Sequence, residues 1–135
     1  MSDRVELQAE VAAPRALIYP LLATGEGLGQ WLDAAQLDPR IGGRVRVRLR
    51  NAVAFGEVLA MNPIQHISFT WDWEAAPLGR LSVVAFDAID HGKRTHVTFR
   101  HVGLPTPEQV NLHEEMWRYW IKRFVEAVDN ISRNA

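Results

Sequence analysis

The sequence predicts an α+β domain in which a curved antiparallel sheet of about six strands surrounds a long C-terminal helix, with two short helices after the first strand. Three observations predict it. Segments of alternating apolar and polar residues recur between residues 4 and 102. From residue 44 onward these segments are separated only by short turn sequences, so they follow one another as hairpins. A single amphipathic stretch with three- and four-residue apolar spacing then closes the chain.

The first strand is expected over residues 4–11, where Val5, Leu7, Ala9 and Val11 alternate with polar residues. Pro14 suits the start of a helix, and Leu17, Ile18, Leu21 and Leu22 follow at helical spacing, with Pro20 interrupting the helix or keeping it short. Residues 24–31 contain three glycines, so a helix there is short and depends on packing through Leu28, Trp31 and Leu32. Asp38-Pro39-Arg40-Ile41-Gly42-Gly43 is turn chemistry leading into a strand at 44–50, where Val45, Val47 and Leu49 alternate with four arginines. Strands at 53–61 and 64–73 continue a meander, and strands at 81–89 and 94–102 form a hairpin turning at Asp90-His91-Gly92-Lys93. Thr106-Pro107-Glu108-Gln109 is a helix start with a capping residue and a proline in the first turn. A helix of roughly 25 residues, about 37 Å long, follows and can cross the whole concave face of the sheet.

Composition bounds the function. The 135 residues suffice for one domain, taken as 1–135, with 47% hydrophobic and 23% charged residues. A formal charge of -1 gives no global field for nucleic acid or an anionic membrane. The absence of cysteine removes disulfides, thiolate metal sites and cysteine nucleophiles. The opening MSDRVELQ lacks the apolar stretch of a secretory signal, and no apolar run reaches membrane-spanning length, so a cytoplasmic protein without membrane insertion is expected.

Several motifs, taken in order, resemble a known family. They are Ala13-Pro14, Trp31-Leu32, Asp38 to Gly43, Gly56-Glu57-Val58, Ile67-Ser68-Phe69-Thr70-Trp71, Thr95-His96-Val97-Thr98, His101 and Trp117. The chain resembles the START-like, birch-pollen-allergen-like (SRPBCC) superfamily over nearly its whole length. Within it the chain is similar to the branch related to the C-terminal domain of the activator of the heat-shock-protein-90 ATPase, which is also called polyketide cyclase-like. It departs from that branch in a short loop after Trp73 and in Met116-Trp117 where relatives often have Gly-Trp. The resemblance implies the helix-grip fold and a monomer or homodimer. It also implies a role among those its members fill: binding of lipids, hormones or aromatic metabolites, polyketide cyclisation, or contact with a chaperone.

The candidate site is aromatic. Phe69, Trp71, Trp73 and Phe99 on strands, Trp31 in the helical insertion, and Trp117, Trp120 and Phe124 on the last helix form either a core or the walls of a slot for a flat apolar ligand. His101, on the inward register, and His113, in the first turns of the helix, are expected near the cavity mouth, where with Glu114 they could move protons or hold a metal. No HxH or HExxH spacing supports a metal there, and no cofactor is implied. His66, His91 and His96 read as solvated. Asp87 lies in register with Leu81, Val83 and Ala85 and is expected to face inward with a raised pKa. Asp72 and Glu74 point away from the cavity, and Arg44, Arg46, Arg48 and Arg50 line a wet face where Glu57 or Asp72 can pair with them. The leading expectation is non-enzymatic binding of a small hydrophobic or aromatic molecule between sheet and helix. The alternatives are a co-chaperone-like interaction module and a polyketide-cyclase-like or hydrolytic enzyme using His101, His113 or Asp87 as its weak catalytic candidates.

Overall fold

A computed structural model of the chain describes residues 3–134. Residues 1, 2 and 135, the ends of the expected 1–135 domain, lie outside the described residues. The element order is β1 (Val5–Val11), α1 (Arg15–Ala23), α2 (Gly25–Leu28), β2 (Ala34–Leu37), β3 (Arg44–Leu49), β4 (Ala52–Asn62), β5 (His66–Trp73), β6 (Ser82–His91), β7 (Arg94–Val102) and α3 (Pro107–Asn134). All strand pairs are antiparallel, in the order β1-β7-β6-β5-β4-β3-β2. The sheet therefore has seven strands, not about six. The additional strand is β2, whose four residues Ala-Ala-Gln-Leu carry too little alternation to register as a strand until they pair with Val45 to Arg48.

Each face of the sheet follows from its sequence period. Val45, Val47 and Leu49 are buried while Arg44, Arg46 and Arg48 are exposed. Ile67, Phe69 and Trp71 are buried on β5 and Val97, Phe99 and His101 on β7. A bulge between Val58 and Ala60 gives β4 an extra residue, which shifts its inward set from Val58 to Met61 and bends the strand.

The helices lie on the inner face. Pro14 is the cap residue of α1, and the helix runs through Pro20 to Ala23 because Ile18, Tyr19, Leu21 and Leu22 are all buried. Thr24 caps α2, its Oγ1 accepting from the Gly27 amide at 2.9 Å. Thr106 does the same for α3, accepting from the Gln109 amide at 3.1 Å. The 28-residue α3 approaches β1 most closely and stands off the rest of the sheet by the thickness of its aromatic side chains. Among the described residues no helix is long and apolar enough to cross a membrane.

Gly27 and Gly103 are among the glycines that space requires. A Cβ on Gly27 would sit 1.8 Å from the Pro20 carbonyl oxygen, so α2 seats on α1 only without a side chain there. Gly103 has φ +86 and its absent Cβ would lie 2.5 Å from the Leu81 carbonyl oxygen. Gly27→Ala is expected to destabilise the protein by about 2 kcal/mol in urea unfolding, the scale of forced overpacking. The exposed Gly29→Ala in the same segment should change stability by less than about 0.5 kcal/mol; equal effects would contradict the seating of α2 on α1.

Candidate functional site

The aromatic residues singled out from sequence, Trp120 apart, meet and fill the space between sheet and helix. Trp31 is fully buried, with its ring 5.9 Å from Phe86, 6.2 Å from Phe99 and 5.3 Å from Phe124, while its Nε1 donates to the Leu21 carbonyl at 2.8 Å. Phe69 packs edge-on to Phe86 at 5.7 Å, and Trp71 lies 5.3 Å from both Trp73 and Trp117. The space left among Val5, Phe86, Phe99, His101 and Trp117 does not admit a water molecule. Phe86 belongs to this cluster although sequence reasoning did not select it. Trp120 is buried on another flank, 5.0 Å from Tyr119 and beneath the Arg123 guanidinium, which stands 5.0 Å above its ring.

His101 and His113 do come together, with ring centroids 5.0 Å apart. Their partners fix their tautomers. Trp117 Nε1 donates to His101 Nδ1 at 3.1 Å, so His101 carries its proton on Nε2 and donates to Ser82 Oγ at 3.0 Å. Ser82 in turn donates to the Trp71 carbonyl. Trp73 Nε1 donates to His113 Nε2 at 3.0 Å, leaving His113 Nδ1 to donate to the Gln109 carbonyl at 2.7 Å. Burial, with a smaller contribution from His113, lowers the His101 pKa to about 3, and burial likewise lowers that of His113 against the opposing effect of the Gln109 carbonyl. Both imidazoles are neutral and all four ring nitrogens are engaged. Glu114, expected beside them, is instead 3.5 Å from Arg118.

The opening lies at the end of this relay. Trp73, Ala76, Gln109, Leu112, His113 and Met116 line an open pocket of about 280 Å³ between the end of β5, loop 74–81 and the first turns of α3. Asp72 holds that loop in place, its Oδ1 accepting from the amides of Trp73 at 2.9 Å and Leu78 at 2.8 Å. Trp71 Nε1 is buried without a hydrogen-bond partner, among the rings of Trp73, His101 and Trp117.

Asp87 is corrected. The inward residues of β6 are Ser82, Val84, Phe86 and Ala88, so Asp87 lies on the outer face with Leu81, Val83 and Ala85, one residue out of the expected register. It is 2.8 Å from His66 Nδ1 and 2.9 Å from Arg100 Nη2. The arginine row is also shorter than expected. Arg46 pairs with Glu74 through two nitrogens at 3.0 and 3.3 Å, rather than with Glu57 or Asp72. Arg50 leaves the row at φ 60 and places its guanidinium 4.6 Å above the Tyr119 ring. Arg44 and Arg48 form no ion pair among the described residues. Arg44, but not Arg48, lines an outer-face groove of about 670 Å³ together with Gln36, Arg46, Phe55, Glu57, Thr70 and Glu74.

An antiparallel sheet wrapped around a long C-terminal helix, with an aromatic interior opening at one end, is the helix-grip arrangement of the START-like (SRPBCC) superfamily. The chain belongs to the Activator of Hsp90 ATPase homolog 1-like protein family, whose model matches residues 12–129. No curated protein matches the sequence. Among solved structures, protein MLL2253 from Mesorhizobium loti superposes with a TM-score of 0.82 at 21% identity, covering 94% of this chain and 97% of that one. CalU16 from Micromonospora echinospora gives 0.77 at 17%, covering 96% and 79%. PFC0360w, an HSP90 activator from Plasmodium falciparum, gives 0.76 at 17%, covering 95% and 94%. At these identities the likeness is one of fold.

The relay makes stability depend on pH. Below about pH 6.5 the unfolded chain protonates His101, whereas the folded chain does so only near 3, so its contribution is full above 6.5 and is lost as pH falls from 6.5 toward 3. Between about pH 7 and about pH 5 the wild type should lose about 2 kcal/mol more stability than His101→Gln. Parallel denaturation curves at the two pH values check this, and equal losses would contradict a neutral, buried His101.

Proposed function

We propose that the chain binds a small apolar or aromatic molecule, without transforming it, at the mouth formed by Trp73, Ala76, Leu112, His113 and Met116. The observation that carries the reading is this pocket itself: about 280 Å³, walled by an indole, an imidazole and a thioether, and open to solvent. That volume lies just below the usual range for small-molecule sites and suits a ligand of one or two rings. The walls are fixed before binding, because Trp73 and His113 hydrogen-bond each other and Asp72 holds the neighbouring loop, so little ordering entropy is lost on association. Met116 provides the adaptable side. The non-enzymatic character rests on the histidines: a general base needs a free lone pair near the substrate, and those of His101 and His113 accept from Trp117 and Trp73. Trp31, Phe69, Trp71, Phe99, Trp117 and Phe124 act in this reading as the support behind the pocket. A titration of intrinsic tryptophan fluorescence with flavonoids, indoles and short fatty acids is expected to show saturable quenching, weakened roughly tenfold, or about 1.4 kcal/mol, by Met116→Arg and unchanged by Phe55→Ala on the outer face. A flat response across the panel, or identical curves for Met116→Arg, would overturn the reading.

A second reading, a protein-interaction module of the co-chaperone kind, is favoured by one specific observation. Arg44 and Arg48 are exposed without ion-pair partners among the described residues, and Arg44 lines a groove that also holds the half-exposed Phe55. Unpaired arginines next to an aromatic ring are suited to an acidic protein surface. The family's description names an activator of the Hsp90 ATPase, so a chaperone of that class is the partner this reading implies. The double variant Arg44→Glu/Arg48→Glu should then abolish retention of an Hsp90-class chaperone on the immobilised protein while leaving thermal stability within a few degrees of the wild type. Retention unaffected by the charge reversal would remove this reading.

A further inference from the structure

Three outer-face side chains from three adjacent strands converge at the end of the sheet opposite the mouth. Glu10 on β1 lies directly across from His96 on β7, and His91 closes β6 at the hairpin turn. His96 Nδ1 is 2.8 Å and His91 Nδ1 2.9 Å from the same oxygen, Glu10 Oε1. The two imidazoles stack with centroids 5.5 Å apart and an interplanar angle of 29°. All three potential ligand atoms lie within 4.8 Å of one another, and this is the one such group of histidines and carboxylates among the described residues.

We propose that Glu10, His91 and His96 form a binding site for a divalent transition-metal ion of the zinc, nickel and copper group. Two imidazole nitrogens directed at one carboxylate oxygen form a donor set of two nitrogens and one oxygen. Imidazole favours these metals, whereas magnesium and calcium require oxygen ligands. With metal–ligand bonds of about 2.0–2.1 Å, a tetrahedral ion needs its donors roughly 3.4 Å apart. The Nδ1 to Oε1 separations therefore widen by about half an ångström on binding, which side-chain rotation of exposed residues accommodates. The protons now bridging Nδ1 and Oε1 have somewhere to go. An imidazole whose single proton sits on Nε2 presents its Nδ1 lone pair to the position between the rings, so a tautomer shift through solvent, with one proton leaving Nδ1 and one taken up at Nε2, frees both Nδ1 atoms for the ion.

The framework supports this role. The Cα positions of Glu10 and His96 are set by the β1–β7 ladder, and His91 is held next to the turn by Gly92 at φ +72 and by the Asp90 carboxylate, which accepts the Gly92 amide at 3.1 Å. Arg94 Nε stands 3.8 Å from the other carboxylate oxygen, Oε2, orienting the group so that Oε1 faces the imidazoles. Three protein ligands leave at least one coordination position for water, or for a donor from another molecule. A bound ion would also link the edge strand β1 to the β6–β7 hairpin. Separated by 81 and 86 residues from Glu10, the two histidines have no sequence spacing that would announce the site.

The test uses the untagged chain. Calorimetric titration with zinc and visible absorption with cobalt, displaced by zinc, should both report one ion per chain. Loss of a direct ligand should cost at least as much as loss of an outer partner does at known sites, so His96→Ala and His91→Ala should each weaken binding by about tenfold or more, and Glu10→Gln by a similar factor. His66→Ala, whose imidazole meets Asp87 elsewhere on the same face, should leave binding unchanged. The variants alter exposed or half-exposed side chains, and an unchanged circular dichroism spectrum and melting curve confirm that each is folded. No saturable binding by the wild type, or binding equal in the wild type, His91→Ala and His96→Ala, would overturn the proposal.

Discussion

The distance between α3 and the sheet is set by rings. Trp31 stands where three layers meet: it touches Phe86 and Phe99 on the sheet and Phe124 on α3, and its Nε1 ties it to the end of α1 through the Leu21 carbonyl. Burying an aromatic side chain contributes on the order of 2 to 3 kcal/mol, and the tilted and edge-on contacts seen here add to that, so the sheet, the helical insertion and α3 are locked to one spacing. What remains open is decided by where the rings run out. On β5 that happens at Trp73, which is only half-buried, and the mouth begins there.

A dry interior constrains the polar groups within it. His101 and Ser82 are tolerated because each donor meets an acceptor in one chain of bonds from Trp117 to the Trp71 carbonyl. The arrangement holds only for neutral imidazole, since a second ring proton would have no acceptor at Nδ1. The same relay that stabilises the core engages both ring nitrogens of His101. Charged groups are kept outside, where Arg46 with Glu74, and Asp87 with His66 and Arg100, form exposed or half-exposed pairs of modest energetic value. In this chain the fold thus separates an inner face of packed side chains from an outer face that carries the charged groups.

Much of this was legible in the sequence. The alternation of valines with arginines on β3, the aromatic row from Ile67 to Trp73 and the Thr106 cap each follow from local patterns that tertiary structure does not override. β2 was not, because four weakly patterned residues become a strand only by pairing. The register of β6 was misread for a different reason. Val83, Val84, Ala85, Phe86 and Ala88 are apolar on both faces, so periodicity cannot choose between them, and the choice falls to the pairing of Val84 with Phe69 and to the buried hydroxyl of Ser82. That single slip placed Asp87 inside. The convergence of Glu10 with His91 and His96, and the filling of the cavity by Phe86, are long-range facts for which local patterns carry no signal.

If side chains fill the space between sheet and α3, a ligand is confined to the mouth. Crystals of the protein soaked with indole test it most directly. Ligand density is expected against Trp73, Leu112 and Met116, with the positions of Phe86, Phe99 and Trp117 unchanged; density lodged between those three rings, with α3 displaced from the sheet, would show that the interior opens to ligand.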